Sequence, residues 1–302
     1  MPTEDIVDRN LIVSDEERRT GQLSPEHLRL GLMLLLCRGY VVLKRALPLE
    51  LVEAVRSRFT VILDDCQRSA AAQSLLPAKD TLGEPWTSKD GTRYLVVESR
   101  FRIFPRLEGL MADPMLIANP FATAILEQTL GADFYCKSVG SDTCLKGSIL
   151  QSPHRDINYY EDGVPQSTMV NIPLVHCGLH NGPLEVWPGG SHLWRGALFE
   201  RFGLEPFIQD ARNPPVEQFA EHMSTKKIDL RPGDLLLRDP GMWHRGTPNP
   251  TDEPRTMLTI GCFRQGYVYE YGDPHYNLSS QLFEQLPPAI KRMFQHAFPT
   301  RG

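Results

Sequence analysis

Residues 231–263 read RPGDLLLRDPGMWHRGTPNPTDEPRTMLTIGCF, and this stretch carries the clearest sign of the fold. The tripeptide PGD near its start is a turn signal, and the apolar run LLLRD that follows predicts a short strand. His244 comes at or just after the end of that strand, and Arg255 opens a second apolar strand, RTMLTIGCF. Short strands separated by turn residues are typical of a β-sandwich or a β-barrel.

The same pattern of short apolar runs separated by turn residues extends over residues 134–271, in runs such as FYCKSV, TMVNIPLV and PLEVWPGGSH. The preceding part contains mainly helical patterns, among them a helix with an N-cap at Ser24 that ends near Gly39. Residues 70–92, rich in Pro, Gly, Lys and Asp, predict a loop that could act as a lid or as a linker. We therefore expect one domain over residues 1–302, consisting of a mainly helical part at 1–130, a β core at 131–271 and a closing helix at 278–296.

The composition limits the classes of partner. The chain has 41% hydrophobic and 23% charged residues and a net charge of −5. It contains no run of five or more like charges, so its charge pattern does not suggest nucleic acid or an anionic membrane as a partner. Its 6 cysteines form no CxxC pair, which is typical of a reducing compartment. Neither a secretory signal nor an apolar stretch long enough for a bilayer is visible. We expect a cytoplasmic protein that acts on a small molecule, and a homodimer is left open.

A group of metal-binding side chains is spread over two segments. The segment QSPHRDINYY at 151–160 contains His154 and Asp156, which point to the same face of an extended chain. This pair alone means little, since it arises easily by chance, but His244 offers a third ligand. Two histidines and one carboxylate form the facial triad of non-haem iron(II) oxygenases. Arg255, eleven residues after His244, lies on a neighbouring strand, from which a guanidinium can bind a carboxylate with two hydrogen bonds.

The order of these residues resembles the phytanoyl-CoA dioxygenase family. His154-x-Asp156 is followed by NGPLEVWPGGSH (181–192), which is similar to the family's NG…PGSH strand and turn, and then by His244 and Arg255. The similarity covers residues 131–263, together with a helical N-terminal half. It implies a double-stranded β-helix, or jelly roll, with flanking N-terminal and C-terminal helices.

The resemblance also implies cofactors and roles. Members of this family use Fe(II), 2-oxoglutarate and O2, so His154, Asp156 and His244 correspond to the iron ligands. Arg255 corresponds to the residue that binds the far carboxylate of 2-oxoglutarate, and Gln151 occupies a position beside the cofactor. Some relatives carry Ser two residues after the second histidine, where this chain has Gly246, so Thr247 or Ser99 is expected to supply that hydrogen bond. Asp156 argues against halogenation, for which relatives carry a small residue at that place.

The implied function is a dioxygenase of secondary-metabolite biosynthesis that oxidises an unactivated C–H bond of a small hydrophobic metabolite. Hydroxylation is the expected outcome, with desaturation and rearrangement as alternatives. One alternative is a fatty acyl-CoA hydroxylase of the same family. Another is a non-catalytic β-helix subunit or small-molecule binding module, against which the complete set of four site residues argues. A cupin-type enzyme ranks lower, because the His-x-His half of its motif is absent.

Other candidates have simpler explanations. His192 fits a capping or packing role in its turn, and His176 and His180 fit a structural or surface role. Among the tryptophans, Trp243 has the strongest claim to line a substrate pocket, ahead of Trp187 and Trp194, because it adjoins a metal-ligand candidate. The remaining candidates are arginines for which a surface role competes with a role near the site: Arg264, Arg93, Arg100 and Arg102.

Overall fold

The computed structural model describes residues 10–73, 85–97, 99–157, 164–189, 192, 201, 220–267 and 275–298. Its helices are α1 (Asp15–Thr20), α2 (Pro25–Arg38), α3 (Leu49–Ala72), α4 (Pro114–Ile117), α5 (Pro120–Leu130), α6 (Ser280–Gln285) and α7 (Pro288–Phe294), with a 3-10 turn at Gly109–Ala112. None of the described helices combines the length and the hydrophobicity required to cross a membrane.

The helix boundaries follow from capping chemistry. Ser24 accepts a hydrogen bond from the backbone of His27 at the start of α2, and Gly39 ends the helix in the left-handed conformation, with φ 81°. Asn119 caps α5 through the amides of Phe121 and Ala122. The predicted start and end of α2 are therefore confirmed.

The strands in chain order are β1 (Leu11–Ile12), β2 (Tyr40–Lys44), β3 (Trp86–Thr87), β4 (Arg93–Val97), β5 (Arg100–Phe104), β6 (Tyr135–Cys144), β7 (Ser167–Pro173), β8 (Leu184–Val186), β9 (Lys226–Ile228), β10 (Leu235–Arg238), β11 (His244–Gly246) and β12 (Arg255–Phe263). Within the described residues they form a mixed nine-stranded sheet in the order β1-β2-β10-β7-β12-β6-β5-β4-β3 and a three-stranded sheet in the order β11-β8-β9. Among these described strands, only β1 and β2 pair in parallel.

The two sheets face each other and form the expected jelly roll. Their facing sides share a buried apolar cluster, to which β2 contributes Tyr40 and Val42, β12 contributes Met257 and β8 contributes Val186. The opposite side of the large sheet packs against helices α2, α5 and α7 through a second, larger core. Side chains of β12 alternate between these two cores, as the period of a strand requires.

Three details differ from the expectation. The N-terminal part contains five strands besides its helices, and β1 to β5 extend the large sheet on both edges. The closing segment forms two short helices with a break at Leu286 and Pro287, where consecutive prolines remove backbone donors. Within the expected loop at 70–92, α3 continues to Ala72 and β3 and the Ser88–Thr92 turn lie at its end; residues 74–84 lie outside the described residues.

Candidate metal centre

The backbone places His154 and His244 side by side. His154 lies in an extended segment that forms an isolated antiparallel bridge with His244 at the start of β11. Each residue donates its amide to the carbonyl of the other, with N to O distances of 3.0 Å in both directions. Because directly paired residues present their side chains on the same face, the two rings lie together, with centroids 4.5 Å apart.

Backbone carbonyls orient both imidazoles. Nδ1 of His154 lies 2.9 Å from the carbonyl of Ser152, and Nδ1 of His244 lies 2.9 Å from the carbonyl of Met242. A carbonyl can only accept, so Nδ1 carries the proton in each ring. In the neutral form of such a ring, Nε2 is left with a free lone pair for a metal, an arrangement common in metal-binding histidines.

Asp156 completes the group. Its two carboxylate oxygens lie 3.8 Å from Nε2 of His154 and 3.2 Å from Nε2 of His244. Its amide donates to the carbonyl of Pro240, which ties this segment to the turn that precedes His244. Within the described ranges, the potential ligand atoms of these three residues lie within 4.8 Å of one another.

The electrostatics favour the protonation states that bind a metal. Burial and the neighbouring His244 lower the pKa of His154 to about 4, so its ring is neutral at physiological pH. Burial by itself would raise the pKa of Asp156, but the charges of His244 and Arg238 hold it well below its usual range. A neutral imidazole and an ionised carboxylate beside a second imidazole are a donor set that suits iron(II).

Arg238 is a site residue that the sequence did not reveal. It ends β10 on the side that faces the small sheet, and its Nη2 donates to Oδ2 of Asp156 at 2.8 Å. Its Nε lies 3.3 Å from the amide oxygen of Asn171 on β7. Its side chain is 8% exposed, so the guanidinium holds the carboxylate of Asp156 in one orientation. In the sequence this residue resembles an ordinary strand-end charge.

Arg255 begins β12 and is fully buried between the sheets. Nη1 and Nη2 lie 3.3 Å and 3.4 Å from the same carboxylate oxygen of Asp142 on β6. These distances are longer than those of a close charge-assisted pair, and Nε has no hydrogen-bond partner within the described part of the chain. Burial would raise the pKa of Asp142, but Arg255 and Arg100 lower it, so the carboxylate is ionised.

The candidates beside the metal group have the following contacts. Oε1 of Gln151 accepts the amide of Gly246 at 2.8 Å. The hydroxyl of Thr247 donates to the carbonyl of Pro183 at 2.6 Å, so it is engaged with the protein. Ser99 precedes β5 with φ 60°, and its carbonyl accepts the amide of Leu145. The assignment of Gln151 and Thr247 to 2-oxoglutarate stays a prediction.

The remaining candidates contact other parts of the protein, at the surface or in packed clusters. Nε2 of His192 lies 2.9 Å from the carbonyl of Leu36, as a packing histidine would. His176 contacts Asp229 at the surface, and its ring is 4.9 Å from that of His180. Trp243 is buried with Trp187 in a small cluster. Arg264 donates to the carbonyls of Pro165 and Thr129, and Trp194 lies outside the described residues.

Comparison with known proteins agrees with this geometry. A sequence model of the family described as phytanoyl-CoA dioxygenase (PhyH) matches residues 35–257, more than half of the chain. The structure of the epimerase SnoN, solved with Fe3+, α-ketoglutarate and nogalamycin RO, is 16% identical, with a TM-score of 0.52 over 86% of this chain and 98% of SnoN.

Two further structures are similar. The α-ketoglutarate-dependent carbocyclase SnoK from nogalamycin biosynthesis is 16% identical, with a TM-score of 0.52 over 88% of this chain and 92% of SnoK. AviO1 from Streptomyces viridochromogenes Tue57 is 14% identical, with a TM-score of 0.51 over 80% of this chain and 96% of AviO1. At these identities the likeness shows a shared fold. The match to the family model shows more: this chain belongs to the phytanoyl-CoA dioxygenase family of iron- and 2-oxoglutarate-dependent oxygenases.

Proposed function

We propose that the protein oxidises an unactivated C–H bond of a small hydrophobic metabolite, with hydroxylation as the main outcome. The observation that carries this proposal is the convergence of His154, Asp156 and His244, whose donor atoms lie within 4.8 Å of one another. When bound, iron(II) together with 2-oxoglutarate and O2 supplies the oxidant for such a bond. The three side chains would hold the iron and leave its other positions open.

The chain's own residues set the geometry. Arg255 would bind the far carboxylate of 2-oxoglutarate, since it is a buried guanidinium whose contacts with Asp142 are loose. Arg238 would keep the carboxylate of Asp156 in place. Gln151 would fix β11 beside the metal group, because its side chain accepts the amide of Gly246, two residues after His244.

Two exposed apolar side chains support a hydrophobic substrate. Ile149 and Leu150 are 54% and 47% exposed, and they lie only a few residues before His154. Solvent-exposed apolar side chains next to a polar centre are common where a ligand binds. The related fold of SnoN holds nogalamycin RO, which favours a natural product over a fatty acyl-CoA in our proposal.

The first test is anaerobic loading with iron(II) and 2-oxoglutarate. We expect the weak visible absorption of an iron–2-oxo acid chelate, its loss in His154→Ala, and a need for much more 2-oxoglutarate in Arg255→Ala. Glu16→Gln, far from the site in α1, serves as a control that should behave as wild type. If wild-type protein binds neither iron nor 2-oxoglutarate, the enzymatic proposal fails and a binding module takes its place.

A second test addresses the substrate. Succinate release from 2-oxoglutarate can be measured with hydrophobic candidates offered as free acids or alcohols and as CoA thioesters. The proposal expects turnover of a free form. A strict requirement for the CoA thioester would refute the hydrophobic-metabolite proposal and support an acyl-CoA hydroxylase.

A further inference from the structure

Arg102 is an exposed cation on β5 that the roles described so far do not use. It comes two residues after Arg100, so both side chains lie on the same face of the large sheet. This face looks towards the small sheet, because a Cβ built at Gly246 on β11 would lie 2.7 Å from Nη1 of Arg100. Arg100 is buried there, whereas Arg102 is exposed. Arg102 therefore offers its guanidinium to the solvent on the pocket side of β5.

Strand pairing brings Arg102 next to a carboxylate of the pocket. β5 pairs with β6 in antiparallel register, with Phe101 opposite Thr143. The next position along each strand is Arg102 on β5 and Asp142 on β6. Burial by itself would raise the pKa of Asp142, and its neighbouring arginines, Arg102 among them, lower it. The register and the electrostatics thus agree that the two side chains are close.

The same guanidinium acts on the metal group. Burial and His244 are the main causes of the low pKa of His154, and the positive charge of Arg102 contributes to it. The side chains of His154, Asp156 and Asp142 are 20%, 31% and 32% exposed. Solvent therefore reaches both the metal group and the carboxylate beside Arg102. A ligand that enters from the solvent can contact all of them.

No protein group occupies the guanidinium of Arg102. Within the described part of the chain it makes neither a hydrogen bond nor an ion pair. The carboxylate of Asp142 lies instead within 4 Å of Arg255 and Arg100, at 3.3 Å and 3.9 Å. The planar fork of an arginine matches the two oxygens of a carboxylate. Arg102 is therefore an accessible carboxylate-binding group at the side of the pocket.

The charged groups of the pocket leave an excess of positive charge. Among the described residues, the metal group and the pocket side of β5, β6, β10 and β12 carry four arginines and two aspartates: Arg100, Arg102, Arg238, Arg255, Asp142 and Asp156. Histidines that hold a metal are neutral. An iron(II) ion and a 2-oxoglutarate dianion would cancel each other's charge and leave this excess unchanged. A substrate with a negative charge is therefore favoured electrostatically.

Apolar surface lies next to this positive charge. Nη2 of Arg100 donates to the carbonyl of Ile149 at 3.1 Å, which holds the segment before the metal ligands against the start of β5. Ile149 and Leu150 in this segment expose about half of their surface. A molecule with an apolar body and a carboxylate at one end would contact both features.

We propose that Arg102 is a specificity residue that binds a carboxylate of the substrate, and that the substrate class is a hydrophobic carboxylic acid. This inference rests on the proposed function, since it concerns the substrate of the same metal group. Arg102 would anchor the acid end, and the apolar body would lie along the exposed apolar side chains. The C–H bond that reacts is then at a fixed distance from the carboxylate.

The test compares acids with alcohols of the same carbon skeleton. Protein loaded anaerobically with iron(II) and 2-oxoglutarate is titrated by calorimetry with octanoate and 1-octanol, and with 4-phenylbutanoate and 4-phenyl-1-butanol. We expect wild type to bind at least one acid about 10- to 100-fold more tightly than its alcohol, the ratio typical of a charged hydrogen bond. Arg102→Met should abolish this preference and leave the affinity for the alcohol unchanged, whereas a structural defect would weaken both.

Two further variants complete the comparison. Arg102→Lys should retain part of the preference, because it keeps the charge but loses the planar fork. Arg106→Met, which removes another exposed arginine just beyond β5, is the matched control and should bind every ligand as wild type does. Because Arg102 is exposed and without a protein partner in the described structure, all three variants are expected to fold.

Octanoyl-CoA, titrated in parallel, separates two sources of negative charge. If Arg102→Met weakens octanoyl-CoA but not octanoate, the group bound by Arg102 is a phosphate and the carboxylate proposal is overturned. A loss of octanoate affinity supports it.

The failure of this inference differs from that of the proposed function. If wild type forms the iron–2-oxo acid chelate but prefers no acid to its alcohol, or if Arg102→Met keeps the preference, the inference is overturned and the proposed function stands. If wild type binds neither iron nor 2-oxoglutarate, the proposed function itself fails.

Discussion

Glu17 provides the most direct test of how the N-terminal helices are held to the fold. Its Oε2 accepts the amide of Ser14 at 2.8 Å and contacts Nδ1 of His27 at 2.9 Å, and its Oε1 accepts the amide of Ser24 at 2.7 Å. It thus joins the N-caps of α1 and α2. Burial by itself would raise the pKa of Glu17, but the backbone hydrogen bonds from Ser14 and Ser24 and the side-chain bonds lower it to about 2.

The magnitude follows from linkage. One pKa unit corresponds to about 1.4 kcal/mol, so a fall from 4.5 to about 2 is worth roughly 3 kcal/mol of unfolding free energy. Only 5% of the side chain is exposed, so solvent screening does not reduce this much. Because the folded-state pKa is depressed, the contribution is complete above about pH 5 and is lost as the pH falls towards 2.

Urea unfolding of wild type and Glu17→Gln, followed by tryptophan fluorescence at several pH values, measures this contribution. At pH 7 we expect the variant to be destabilised by about 3 kcal/mol, and the difference should shrink between pH 4.5 and 2. Glu16→Gln is the control, because Glu16 pairs with Arg19 at the surface and should matter by less than about 0.5 kcal/mol. Equal stability of the two variants at pH 7, or a difference that persists unchanged at pH 2, would refute the reasoning.

Three further predictions concern the site. Asn249→Ala should destabilise the protein by about 2–3 kcal/mol in urea unfolding, because the buried amide of Asn249 ties the loop between β11 and β12 to the end of β6. It donates to the carbonyl of Cys144 and to that of Glu253; wild-type stability would contradict this. Arg238→Met should weaken iron(II) binding about tenfold in anaerobic chelator competition, since Asp156 loses its orienting partner; tighter binding would instead show that charge repulsion between guanidinium and metal dominates. Asp142→Asn should lower the melting temperature and gain more from added 2-oxoglutarate than wild type does, because it leaves the buried Arg255 and Arg100 without their shared carboxylate. An equal gain would contradict the proposed role of Arg255 in binding 2-oxoglutarate.

The metal-ligand candidates could be predicted from sequence because the order and spacing of His154, Asp156 and His244 resemble those of one family. His154 and Asp156 are two apart on an extended chain, and one strand pattern places His244 after a turn and Arg255 at the start of the next strand. Hydrophobic periodicity and turn residues then indicate many short strands, which the two sheets confirm. These features depend on residues close to each other in the chain, so a single sequence contains them.

The remaining site residues depended on strand register, which single-sequence patterns do not specify. Arg100 and Arg102 are two residues apart on β5 and therefore point to the same face of the sheet. Only Arg100 is buried, because it lies opposite Cys144 and next to Gly246. Likewise, Arg238 meets Asp156 only because β10 inserts between β2 and β7. A shift of one residue in either strand would turn these side chains to the other face. The sequence by itself therefore predicted the metal-ligand candidates and the fold class, whereas the pairing of distant strands decided which arginines surround them.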